Sequence, residues 1–205
     1  MPDLEKALAD ITAIRTQMAR GTAFRGYGPA TIATTGLLAV LAAGVQALWI
    51  PHPAGEPLAY LALWVVTAAI SSLLIGAEMV ARTRRIHSGL ADEMIYAAIE
   101  QFMPAGVAGI LVTFVVWRYA PHSMGMLPGL WQIIFSLGVF ASCRSLPRPM
   151  FAVAVWYLAA GLANLALVGG ASAFSPWAMA VPFGVGQLAM AAVIWRDSGV
   201  SDGEG

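Results

Sequence analysis

Six stretches of this chain, about residues 29–50, 58–80, 95–118, 127–143, 149–168 and 176–195, run almost without charge. A helix needs roughly 20 apolar residues to cross a hydrocarbon layer of ~30 Å, and each stretch is close to that length. Proline stands at or near five of the six N-terminal edges: Pro29, Pro57, Pro128, Pro149 and Pro176. In a first helical turn the missing N–H costs nothing and the fixed φ suits the helix. The pattern predicts an all-α integral membrane protein. The expected architecture is a six-transmembrane-helix bundle of three antiparallel hairpins, because the connections are short.

Composition agrees. Charged residues make up 11% of the 205 residues and hydrophobic ones 59%, whereas a soluble domain carries about a quarter of its residues as charged side chains. The net charge is zero, so nothing argues for a nucleic-acid partner; the expected surroundings are the lipid bilayer. One cysteine, Cys143, excludes an intrachain disulfide and a CxxC metal knuckle. The sole lysine, Lys6, precedes the first apolar run, which leaves no embedded amine for a retinal Schiff base.

Positive charge sets the expected orientation. With six spans, one side holds Lys6, Arg15, Arg20, Arg25, Arg82, Arg84, Arg85, Arg144, Arg148 and Arg196, and only Arg118 falls on the other. The positive-inside rule then puts both termini in the cytoplasm of a multi-pass inner-membrane protein. An odd number of spans would scatter these charges. Trp49, Trp64, Trp117, Tyr119, Trp131 and Trp177 lie near the opposite ends of their spans, as an aromatic belt would, and Trp195 does the same at the cytoplasmic end.

Ahead of the first span, residues 1–25 read as a cytoplasmic amphipathic helix and linker. Leu4, Ala7, Leu8, Ile11, Ile14 and Met18 share one helical stripe, and Gly21, Gly26 and Gly28 end it. Leu4, Ile11 and Met18 also recur every seven residues, a short seam for self-association. No continuous apolar h-region occurs in this window, so a cleaved signal peptide is not expected. Residues 197–205 read as a short disordered tail. An internal echo links Leu41–Leu48 with Leu158–Leu165, consistent with repeated hairpins.

Ionisable and polar residues at membrane depth are the functional candidates. Glu78 is followed at i+4 by Arg82, the spacing of a structural ion pair. Glu100 and Gln101 precede Pro104, which removes the donor for the carbonyl of Glu100 and predicts a kink. A carboxylate beside an amide at a kink suits a cation or proton; the alternative is an interfacial pair with Arg144 or Arg85. Gln46, Gln132, Asn164 and Gln187 supply one amide to each of four other spans. They line a polar cavity on one reading and serve as interhelical hydrogen-bond glue on the other. His122, Met124, Met126 and His52 combine imidazole with thioether outside the spans, a weak Cu(I)-type set. No cofactor is implied, and no haem pair of histidines sits within the spans. Catalytic motifs such as GxSxG, HExxH and the phosphate loop are absent.

Two functions compete on these residues. One is binding or transport of a small solute or ion, with Glu100 and Gln101 as the polar centre. The other is a non-transporting accessory or sensor protein that acts through a cytoplasmic partner or self-association, using residues 1–25 and the loop Arg82–Glu93. A membrane-embedded enzyme ranks third.

Overall fold

The computed structural model describes residues 27–86, 91–167 and 173–201. The amphipathic segment expected over residues 1–25 lies outside the described residues. Every described element is helical. The helices are α1 (Pro29–Trp49), α2 (Pro57–Ile86), α3 (Ala91–Tyr119), α4 (Leu127–Ser142), α5 (Met150–Ala166) and α6 (Trp177–Ser201). A 3₁₀ turn, Pro121–Met126, leads directly into α4. Five of these segments are long and apolar enough to cross a membrane, and α5, with 17 residues, is a shorter apolar helix.

Boundaries shift for physical reasons. Helix α2 runs six residues past its apolar stretch, and α3 starts four residues before its own, with Asp92 and Glu93 in the first turn. Acidic side chains there complement the positive end of the helix dipole. Both helices are near 43–45 Å long at 1.5 Å per residue, so each outruns a ~30 Å hydrocarbon layer. Helix α6 continues to Ser201, so residues 197–201, expected in a disordered tail, are helical.

Each helix packs on its neighbours in sequence, and α6 returns to pack along α1. The α1–α6 and α4–α5 contacts are the most extensive, and the α2–α3 contact is the slightest of these. Small residues make the tight contacts. A Cβ on Gly129 of α4 would meet the carbonyl oxygen of Gly161 of α5 at 2.8 Å, and one on Gly161 would meet that of Gly129 at the same distance. The two backbones touch, and only glycine fits at either position.

Two apolar clusters hold the ends. At the end bearing Arg82, Arg144 and Arg196, here the arginine end, Ile32, Met150, Val153 and Ile194 are buried together with Tyr27 packed against them. At the other, the tryptophan end, Ala39, Ala43, Tyr60, Trp64 and Met179 are buried together. Between them, rings from four helices meet edge to face or tilted: Phe135 lies 5.6 Å from Phe102, 4.7 Å from Tyr157 and 5.6 Å from Phe183. The outward surface stays apolar. None of the apolar window of α3 and 11% of that of α2 is buried, and Leu73, Ile110 and Leu48 are more than 70% exposed. A surface of this kind suits hydrocarbon rather than water.

Candidate functional site

The polar centre of the molecule begins with a proline. Pro182 sits inside α6 and has no N–H, so the carbonyl of Ala178, four residues earlier, lacks its helical donor. Two side-chain amides from other helices replace it. Gln132 Nε2 of α4 donates to Ala178 O at 2.7 Å, and Asn164 Nδ2 of α5 donates to the same oxygen at 2.9 Å. Asn164 Nδ2 also donates to Gln132 Oε1 at 2.8 Å, and Gln132 Nε2 approaches Met179 Sδ at 3.8 Å. Gln132 is fully buried, where an unmade hydrogen bond costs about 1–3 kcal/mol. This network ties α4, α5 and α6 at one level.

A third amide holds the chain just before α6. Gln46 Nε2 donates to Phe174 O at 2.6 Å, while its Oε1 accepts the indole N–H of Trp64 at 2.9 Å. Gln46 and Trp64 are 1% and 3% exposed, so Trp64 is an interhelical donor and not a headgroup anchor. Trp131 repeats the device: it donates to Thr113 Oγ1 at 2.8 Å, across the same separation of 18 residues. Trp49, Trp177 and Trp195 remain exposed, as belt residues would.

Beside the amides lies a cavity of about 270 Å³ at the tryptophan end. Asn164, Ser175 and Trp177, which carry polar side-chain groups, line it together with Pro128, Leu167 and Ala178. Among the described residues, none that lines it is ionisable. Gly125 also lines it, and a Cβ there would come within 2.8 Å of the Ala173 side chain. The volume is near the lower limit of small-molecule pockets, about 300 Å³.

The four amides singled out in the sequence therefore divide. Gln46, Gln132 and Asn164 converge on residues 174–178, and Gln187 is buried more than two turns further along α6, against Gly36 of α1. Glu100 and Gln101 belong to the opposite end. Glu100 is on the exposed surface of α3, and Gln101 Oε1 accepts the Ser145 hydroxyl at 2.9 Å, tying α3 to the α4–α5 connection. The carboxylate of Glu78 lies against Gly28, at the N-terminus of α1. Its Oε2 is buried without a hydrogen bond among the described residues, and the positive end of the α1 dipole faces it. Met124 is buried, while His122, Met126 and His52 are exposed. Among the described residues no three His, Cys, Asp or Glu side chains gather to hold a metal ion.

The amides stand out in the sequence, and Pro182, which brings two of them, Gln132 and Asn164, to one carbonyl, does not. The signal was legible: a proline within an apolar run always strands the carbonyl four residues before it. No known protein family, characterised protein or solved structure matches the chain.

Proposed function

We propose that this protein is a six-span inner-membrane protein that binds a small polar solute in the cavity at its tryptophan end. Three hairpins with both termini cytoplasmic are supported by the ten-to-one Lys and Arg split. The two end clusters lend further support, since they join the start of one helix to the end of the next. Helix α5, with Pro149 as its cap, is long enough to span at the short end of the ~17–25 residue range. A thiol-reactive, membrane-impermeant label on Leu167→Cys should react from outside the cell; labelling only after lysis would reverse the orientation.

The single observation that carries the solute reading is the cavity walled by Asn164 and Ser175 beside an amide network whose N–H groups are all engaged. Binding sites combine apolar walls with a few fixed polar groups. Here those groups are held by three helices and one proline. Between the two polar sites of the sequence, this one is favoured over Glu100 and Gln101, because Glu100 is exposed and Gln101 is engaged by Ser145.

One observation favours sensing over transport. The four-ring cluster of Phe102, Phe135, Tyr157 and Phe183 fills the middle of the molecule about two turns from Asn164 toward the arginine end. A solute bound at Asn164 stops above this layer unless the rings move.

Thermal unfolding of the nanodisc-held protein with a panel of urea, glycerol, acetamide, acetate and methylammonium tests binding. At least one solute should raise the melting temperature of the native chain, with no effect on Asn164→Leu. Ala173→Leu, which fills the cavity without touching an amide, should abolish the response as well. No shift with any solute would overturn the reading.

A further inference from the structure

On the reading that the cavity binds a solute, we infer that its ligand is a small neutral molecule that donates a hydrogen bond to Asn164. The inference follows from counting hydrogens. A backbone carbonyl only accepts, so Ala178 O fixes the orientation of both amides that reach it: the nitrogen of Gln132 and the nitrogen of Asn164 must face it. Asn164 has two N–H groups, and they go to Ala178 O and Gln132 Oε1. Gln132 spends its own on Ala178 O and Met179 Sδ. What remains is Asn164 Oδ1, which makes no hydrogen bond among the described residues and belongs to a side chain of the cavity wall. It is an acceptor with no proton to give.

Ser175 lines the same cavity, and a serine hydroxyl can donate or accept. The pair therefore matches a ligand with a donor for Asn164 and an acceptor for Ser175, such as a primary amide, a urea or a small alcohol. An anion gains nothing from Asn164 Oδ1, since both partners would be acceptors. A cation finds a donor-compatible oxygen but no counter-charge, and an unpaired ion taken from water into such a site is costly. The volume of about 270 Å³ limits the ligand to a few heavy atoms with accompanying water.

An isosteric series separates these cases in the nanodisc-held full chain. Acetamide, acetone and acetate have the same shape and differ in donors; methylammonium donates but carries charge. Acetamide should raise the melting temperature with a saturating dose dependence. Acetone, acetate and methylammonium should need at least about tenfold higher concentration for the same shift, because each leaves a group in the site unmatched. Ser175→Ala should weaken acetamide while leaving its advantage over acetate, which keeps the inference testable if Asn164→Leu does not fold. A shift by acetone or acetate equal to that by acetamide would overturn the donor requirement while leaving solute binding intact. Silence from all four probes and from urea and glycerol would overturn both.

Discussion

Pro182 and Ala178 stand one turn apart in α6, and the carbonyl that the proline leaves without a donor receives two, from Gln132 at 2.7 Å and Asn164 at 2.9 Å. A proline in a helix ordinarily costs about 3 kcal/mol. In lipid the stranded carbonyl would add to that unless another group reached it. The buried Gln132 and the half-buried Asn164 do so, and the same bonds that repair the helix orient the oxygen of Asn164.

Pro182→Ala gives Ala178 O a backbone donor and puts it in competition with the amides. Losing one amide bond, at about 1 kcal/mol net, should weaken acetamide binding by roughly fivefold. Titrations of the melting temperature check this; unchanged affinity would mean that the carbonyl does not organise the site.

The two indole bonds make a matched pair with different stakes. Trp64→Phe leaves Gln46 Oε1 buried without its donor, whereas Trp131→Phe leaves Thr113 still bonded to Gly109 O at 2.6 Å. The first should cost about 1–3 kcal/mol of unfolding free energy and the second less than about 1. Equal costs would argue that neither polar partner matters and that only ring packing does.

Gly161→Ala should destabilise by about 1–3 kcal/mol, because its Cβ meets the backbone of Gly129, which cannot yield. Gly106→Ala serves as the control. Nothing lies within 4 Å of a Cβ there, so helix propensity should leave it neutral or more stable by up to about 1 kcal/mol. Denaturant unfolding in detergent distinguishes the two.

Asparagine, glutamine and serine side chains do not titrate in the ordinary range, so acetamide binding should be flat from about pH 5 to pH 9. An acetamide affinity that changes across this range would contradict a site built on Asn164 and Ser175.

The helices were legible because lipid leaves few options. Long apolar runs, prolines at their starts and one-sided arginines fix where spans begin, and the structure departs mainly at the arginine end. There α2 and α3 continue beyond their apolar stretches, since charged residues are as helical as apolar ones once the helix is under way. That extension explains Glu100. With α3 starting at Ala91, Glu100 lies about 14 Å along a helix of about 43 Å, near the boundary rather than at its centre. The site was legible in parts and not as a whole. Gln46, Gln132 and Asn164 each stand out as amides in apolar runs, but nothing in their spacing brings them together; that depends on helix packing, such as that of α4 on α5 at Gly129 and Gly161. Trp64 and Trp131 fit a belt by sequence because an indole near a span end has the same signature whether it faces lipid headgroups or a neighbouring helix.

Asn164 is the only asparagine in the chain, so isotope-labelled asparagine gives a single side-chain amide signal by nuclear magnetic resonance. In nanodiscs its two protons should be inequivalent and slow to exchange, one bonded to Ala178 O and one to Gln132 Oε1. Saturation with acetamide should shift this signal, and acetate should not. A rapidly exchanging signal that ignores acetamide would contradict both the amide network and the site built on it.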